Sequence, residues 1–144
     1  MPNHLHRILV VASNGGVVER VIRSAAGHEI TVLSDFASAR LELDRQPPDL
    51  LVAQVRLGAF NGLHLAIRAR GRGLPTQTIL VGEPDAVLEN EAKQQRARYL
   101  AWPVDVETLA STMNELLAAA DASLNGAALV AAGSTHGTAL AAAV

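Results

Sequence analysis

The 144-residue sequence predicts an α/β fold in which five parallel strands form one doubly wound sheet. Short, continuous apolar runs such as residues 8–12 and 50–55 are typical of strands buried on both faces. Segments with apolar residues at helical spacing alternate with these runs, and parallel strands require such crossover connections. The length suits one compact domain, because a chain of this size buries roughly two-thirds of its unfolded surface.

The first two strands are joined by a short helix. A strand over residues 8–12 is followed by the turn 13–16, whose polar residues can cap a helix. Residues 29–33 read Glu-Ile-Thr-Val-Leu, and this β-branched run predicts the second strand. The helix between them ends at Gly27. Its apolar face consists of Val17, Val18, Val21, Ile22 and Ala25.

Two further helices flank the third strand. Ser34 or Asp35 caps the second helix, and Pro47-Pro48 ends it. Residues 50–55 form the third strand, and residues 58–62 are predicted to be a loop. The second helix has Phe36, Ala39 and Leu43 on its inner face, and the third has Leu63, Ala66 and Ile67.

The last part of the chain completes the sheet. The fourth strand is predicted over 78–81, a charged helix over 85–94 and the fifth strand over 99–101. Asp105 caps the last helix, which has the most regular apolar pattern in the chain. The domain is therefore predicted over residues 1–121, and the Ala/Gly-rich residues 122–144 are predicted to be a tail or linker.

Composition excludes several functional classes. The chain has no cysteine, which excludes a disulfide scaffold, a thiolate metal site and a cysteine nucleophile. The net charge of −2 provides no electrostatic footprint for direct nucleic-acid binding. No apolar run is long enough for a membrane span, and the first residues do not form a secretory signal. We therefore expect a cytoplasmic protein with neither nucleic acid nor membrane as a direct partner.

Two motifs lie at the ends of predicted strands. Residues 48–57 read Pro-Asp-Leu-Leu-Val-Ala-Gln-Val-Arg-Leu and are followed by Asn61-Gly62-Leu63, while residues 99–103 read Tyr-Leu-Ala-Trp-Pro. Over residues 6–118 the chain resembles the receiver domain of two-component response regulators, whose members read PDLVLLDVRLP, DGL and YLxKP at these places. The resemblance implies a flavodoxin-like (βα)5 receiver fold and a role in phosphorelay signal transduction or transcriptional regulation.

The residues that carry phosphotransfer in this family have no counterpart in this sequence. Receivers place an acidic pair after the first strand, a phosphoacceptor Asp after the third, Ser or Thr after the fourth and Lys before the proline. The matching positions here are Ala12, Ser13, Gln54, Gly82 and Trp102. Tyr99 remains at the family's switch-aromatic position. The resemblance thus implies a pseudo-receiver that is not an enzyme and has no cofactor or metal. Because the indole side chain is large, we expect Trp102 to fill the vacated pocket.

The resemblance also implies a contact surface. Receivers commonly bind a protein partner or form a homodimer through the fourth helix, fifth strand and fifth helix. The candidate contact residues here are Glu89, Lys93, Arg96 and Arg98, whose mixed charge suits a polar interface. Two alternatives stay open. A small-molecule sensor predicts an open cavity near Ala12, Gln54 and Gly82, whereas an enzyme predicts clustered titratable groups at the strand ends.

Overall fold

A computed structural model of the chain describes the backbone of residues 5–134 and the side chains of residues 5–122. Five strands form a parallel sheet in the order β2-β1-β3-β6-β7, and a separate hairpin contains β4 and β5. This arrangement confirms the predicted doubly wound sheet. The strands are β1 (Arg7–Val11), β2 (Glu29–Leu33), β3 (Leu50–Gln54), β4 (Arg56–Leu57), β5 (Phe60–Asn61), β6 (Gln77–Gly82) and β7 (Arg98–Ala101).

Five helices cover the two faces of the sheet. They are α1 (Gly15–Ser24), α2 (Phe36–Arg45), α3 (Leu63–Gly71), α4 (Ala86–Gln94) and α5 (Val106–Ser134). Helices α1 and α5 pack against one face, and α2, α3 and α4 pack against the other. Asn14 and Asp35 cap α1 and α2, as the sequence predicts, because each side chain accepts backbone N–H groups that the first helical turn leaves without partners.

The core consists of two apolar layers, one on each side of the sheet. In β1, Ile8 and Val10 face α1 and α5, whereas Leu9 and Val11 face the opposite helices. This alternation follows from the two-residue repeat of a strand. Strand β3 lies between β1 and β6 and is buried on both faces except at Gln54. The neighbouring strands β1 and β6 therefore fix the position of Gln54, which lies where β3 ends, at the carboxyl edge of the sheet.

Three local predictions are wrong. Residues 58–62 are not a simple loop, because Arg56 pairs with Asn61 and Leu57 with Phe60 in an antiparallel hairpin. Ile22 and Ile67 do not face the core, since they are 45% and 41% exposed. Each helix contacts the sheet along one stripe, and residues beside that stripe remain in solvent even when they are apolar.

Helix α5 extends beyond the predicted domain boundary. It continues to Ser134, so the first part of the predicted tail is helical, while residues 135–144 lie outside the described chain. Near the boundary, His6 Nε2 lies 3.1 Å from Asp121 Oδ1, which joins the start of β1 to α5. None of the helices in the described part combines the length and hydrophobicity that a membrane crossing needs.

Asp44 connects α2 to α3. Its carboxylate accepts from Arg68 Nε, which lies 2.9 Å from Oδ1, and from Arg68 Nη2, which lies 2.5 Å from Oδ2, and it lies 3.4 Å from Arg72 Nε. The hydrogen bond from Arg68 holds the pKa of Asp44 below its ordinary value. The native state therefore favours the ionised carboxylate, and this stability is present above the unfolded pKa of about 4 and is lost as pH falls through the lower folded pKa.

We expect Asp44→Asn to lower the urea midpoint at neutral pH, because the variant loses the charge-assisted pair with Arg68. The difference from wild type should shrink progressively below about pH 4, where wild-type Asp44 also becomes neutral. Urea unfolding from pH 7 to 2.5 measures this difference. A deficit that stays constant over that range would show that packing, and not the charge of Asp44, holds the two helices.

Candidate functional site

The predicted site residues lie at the carboxyl edge of the sheet. Parallel strands end at the same edge, so residues that are distant in sequence meet there. The structure brings Gln54, Gly82, Tyr99 and Trp102 together around one cleft of about 190 Å³. Of the other two predicted positions, Ala12 is buried beneath this edge and Ser13 is exposed beside it.

Gln54 places a neutral amide in the cleft at the end of β3. Its Oε1 accepts hydrogen bonds from the backbone N–H groups of Ser13 and Asn14, both at 3.0 Å. The side chain therefore ties the end of β3 to the turn after β1. An amide oxygen engaged in this way lacks the negative charge and nucleophilic electron pair with which a carboxylate attacks phosphorus.

Gly82 gives Tyr99 space to point inward. A Cβ atom at position 82 would lie 2.8 Å from Tyr99 Oη and 2.9 Å from Val55 Cγ2. The Tyr99 hydroxyl thus occupies space that any side chain at position 82 would need, and it donates a hydrogen bond to the carbonyl oxygen of Glu83. The inward orientation of the Tyr99 ring on β7 therefore depends on the absence of a side chain at Gly82 on β6.

The pKa of Tyr99 is raised above its ordinary value. Burial is the largest cause, and the negative charges of Asp85, Glu89 and Glu83 add to it. Both effects disfavour the phenolate, because it is less well solvated and repelled by its neighbours. Tyr99 is therefore a neutral hydrogen-bond donor throughout the physiological pH range.

Trp102 does not fill the pocket, contrary to the sequence-based expectation. It is half-buried and forms one wall of the cleft. The guanidinium carbon of Arg20 lies 5.2 Å from the centre of its ring, and Arg20 Nη1 donates to the carbonyl oxygen of Val104. This contact with α1 draws the indole to the side of the cleft, since a cation is attracted to the face of an aromatic ring.

The remaining charged groups do not form the magnesium site that the receiver resemblance would require. Glu83 and Asp85 line the cleft beside Arg56, but Asp85 caps α4 by accepting from the backbone N–H groups of Val87 and Leu88. Among the described side chains of residues 5–122, no three His, Asp or Glu residues are grouped to hold a metal ion. Mg²⁺ prefers carboxylate oxygens, and the neutral residues at the ends of β1 and β3 do not fit it.

The candidate interface residues are divided between two places. Glu89 and Lys93 are exposed on α4, and Arg98 of β7 pairs with Glu115 of α5 at 3.2 Å. These lie on the predicted face. Arg96 instead occupies the turn after α4 with a φ of 60° and lines a groove near the amino ends of β3 and β6.

Arg20 and Glu115 are the residues that sequence reasoning missed. Arg20 orients Trp102, although the two are more than 80 positions apart, and Glu115 pairs with Arg98 across two elements. A helical pattern predicts which side of a helix is polar. The helical pattern does not indicate which distant aromatic ring or charged side chain a polar residue will contact.

Comparison with known proteins gives structural matches alone. No family model matches the chain, and no curated protein matches it. Solved structures of receiver domains do match. The signal receiver domain of an HD domain-containing protein from Pseudomonas fluorescens Pf-5 has 22% identity and a TM-score of 0.77, over 87% of this chain and 96% of that one. A CheY-like response regulator receiver domain protein from Methanospirillum hungatei JF-1 has 18% identity and a TM-score of 0.75, over 83% and 99%.

A longer protein shows the same likeness. NtrX from Brucella abortus has 18% identity and a TM-score of 0.78 over 88% of this chain, which spans 30% of the NtrX chain. At these identities the comparisons show the fold. The chain therefore has the flavodoxin-like architecture of CheY-like receiver domains, while its chemistry has to be inferred from its own residues.

Proposed function

We propose that this chain is a pseudo-receiver, a non-phosphorylatable signalling module that acts by binding protein in a two-component, phosphorelay or transcriptional pathway. Two facts support this proposal. The fold is that of receiver domains. The ends of β1 and β3 carry Ala12, Ser13 and Gln54 where phosphotransfer would need carboxylates.

The contact of Gln54 is the observation that carries the proposal. Its Oε1 already accepts from two backbone N–H groups, at Ser13 and Asn14. The amide thus performs a structural role at the position where a phosphoacceptor would have to remain reactive. A Gln54 amide without these two hydrogen bonds would be weaker evidence for a non-phosphorylatable domain. In that case the backbone N–H groups of Ser13 and Asn14 could still bind a ligand.

The binding face is proposed to be the exposed side of α4, β7 and the first turns of α5. Tyr99 lies between this face and the cleft, and its inward position depends on the permanent absence of a side chain at Gly82. A face held in one state avoids the affinity penalty of a domain that must first switch. Glu89 and Lys93 supply one negative and one positive charge on this face. Such charges orient a partner of complementary charge and increase the rate at which it associates.

The remaining features of the proposal follow from the same residues. We propose that such a module is not an enzyme and uses no cofactor, because phosphotransfer needs a carboxylate nucleophile where the cleft has the Gln54 amide. We propose cytoplasmic localisation with a protein partner, and direct contact with neither nucleic acid nor membrane. The near-neutral charge of −2 supports the exclusion of nucleic acid.

One observation favours small-molecule sensing as a second function. The cleft beside Gln54 and Gly82 is open, because Trp102 lies along its wall. Its volume of about 190 Å³ is nevertheless smaller than the roughly 300–1,000 Å³ of typical ligand pockets. Protein binding therefore remains the function that the geometry supports best.

Incubation with acetyl phosphate and Mg²⁺ is expected to leave the intact mass of the protein unchanged. Mass spectrometry measures this directly, and a phosphorylatable receiver domain treated in parallel verifies the donor. A stoichiometric gain of one phosphoryl group would overturn the proposal. The physical reason for the expected result is that the cleft has neither the nucleophile nor the metal ligands of the reaction.

A further inference from the structure

Strand β2 is an edge of the sheet that lacks the usual protection against pairing. Within residues 5–134 it has β1 as its single neighbour. Edge strands are commonly protected by lysine, proline, a bulge or very short length. The opposite edge, β7, begins at Arg98 and is followed by Pro103. In contrast, β2 has five extended residues, and Glu29 at its start is its one charged residue.

Apolar side chains are exposed on both faces beside this edge. Val32, which pairs with Val10 and faces the α1 side, is 42% exposed, and Ile22 of α1 is 45% exposed. On the other face, Leu41 of α2 is 67% exposed and lines a shallow groove together with Leu33. Exposed apolar groups that converge on an unpaired strand are typical of an interaction surface.

The outward-facing backbone groups of β2 belong to Ile30 and Val32. Glu29 N donates to the carbonyl of His6, and the carbonyl of Leu33 accepts from Ala12 N, both at 3.0 Å. These two residues direct backbone groups toward β1. Alternate residues of a strand point their N–H and C=O groups to the same side. The groups of Ile30 and Val32 therefore point away from the sheet and are available to another strand.

We propose that β2 pairs antiparallel with β2 of a second copy of this chain, with Thr31 on the two-fold axis. In this register Ile30 lies opposite Val32 of the second copy, and each such pair exchanges two N–H···O bonds. A two-fold axis perpendicular to the sheet keeps each face on its own side. Val32 of each copy then lies beside Ile30 of the other on the α1 side, where Ile22 also faces the second copy, and Leu41 faces it on the opposite side.

Charge on the flanking helix fits this arrangement. Glu19 and Arg23 are exposed on α1, one on each side of Ile22 along the helix. The two-fold axis makes the two copies of α1 antiparallel, so that Glu19 of one copy approaches Arg23 of the other. A self-complementary pair of this kind favours a second copy over an unrelated strand. The edge also lies opposite β7, so that the face proposed for the protein partner stays free.

Cysteine crosslinking tests the register, because the chain has no cysteine of its own. Side chains directly opposite in a non-hydrogen-bonded antiparallel pair have Cβ atoms about 4.5–5.5 Å apart, which a disulfide nearly spans. We expect Thr31→Cys to form a disulfide-linked dimer under mild oxidation. Glu29→Cys is the matched control, since it lies on the same face of β2 but opposite Leu33 of the second copy. Equal crosslinking of both variants would overturn the register.

Sedimentation analysis over a range of concentrations tests the edge itself. We expect a wild-type dimer, and Val32→Lys should weaken it about tenfold or more because a lysine on an edge strand opposes pairing. Ile67→Lys, which adds the same charge at an exposed apolar position on α3, should leave the dimer unchanged. A wild type that stays monomeric at high concentration, or a dimer that weakens equally in both variants or in neither, would overturn the proposal. Circular dichroism verifies that each variant is folded.

Discussion

Gly62→Ala is expected to lower the free energy of unfolding by about 3 kcal/mol, the largest loss that we predict for one added methyl group. A Cβ atom at position 62 would lie 2.3 Å from the backbone oxygen of Gln54 and 3.3 Å from Ala53 Cβ. These atoms belong to β3, which is hydrogen-bonded on both sides, to β1 and β6. The strand cannot move aside without disrupting two ladders, so the strain remains in the folded state.

Chemical denaturation of wild type and variant measures this effect. Gly71→Ala is the matched control, because a Cβ atom at that helical position would have no atom within 4 Å beyond its chain neighbours and the backbone of its own helix. Its expected effect is neutral or a gain of about 0.5–1 kcal/mol, from the higher helix propensity of alanine. If Gly62→Ala were as stable as this control, the close approach between the hairpin and β3 would not exist in solution.

Gly82→Thr is expected to displace Tyr99 from the cleft and to lower stability by about 2 kcal/mol. The new side chain would compete with Tyr99 Oη and Val55 Cγ2 for the same space. Val55 is buried in the core, whereas the Tyr99 ring is half-buried and can rotate outward. Tyr99 should therefore give way first and lose its hydrogen bond to the Glu83 carbonyl.

The ionisation of Tyr99 reports this displacement. Tyr99 is the one tyrosine of the chain, so absorbance at alkaline pH follows its phenolate alone. In wild type its pKa is raised by burial and by Asp85, Glu89 and Glu83. We expect the pKa in Gly82→Thr to fall toward the ordinary value of about 10, because an outward ring is better solvated. An unchanged pKa would show that the ring had not moved.

The same pKa sets the direction of a stability change at high pH. Because the folded-state pKa of Tyr99 is raised, its contribution is fully present below the unfolded value of about 10 and is lost as pH rises through the folded value. The stability deficit of Gly82→Thr should therefore be largest at neutral pH. Combining it with Tyr99→Ala in a double-mutant cycle should recover the part of the loss that arises from Tyr99, while the contact with Val55 remains.

Much of the fold could be predicted from the sequence because its signals are local. The apolar runs that became β1 and β3 are contiguous, and the caps at Asn14 and Asp35 act within three residues. The ends of the strands are predictable as well, and they predict that Gln54 and Gly82 share one edge of the sheet. A parallel arrangement follows from apolar strands that alternate with helices, since no other packing buries both faces of such strands.

The orientation of side chains at that edge was decided by the tertiary structure. Whether Trp102 fills the cleft or lines it depends on Arg20, which α1 brings over the indole. Whether Tyr99 points inward depends on the space beside Gly82, which belongs to another strand. Ile22 has the same spacing as the buried residues of α1, yet it is exposed beside the β2 edge. These outcomes depend on contacts between residues distant in sequence, and a local pattern holds no information about which distant atoms occupy the space around a side chain.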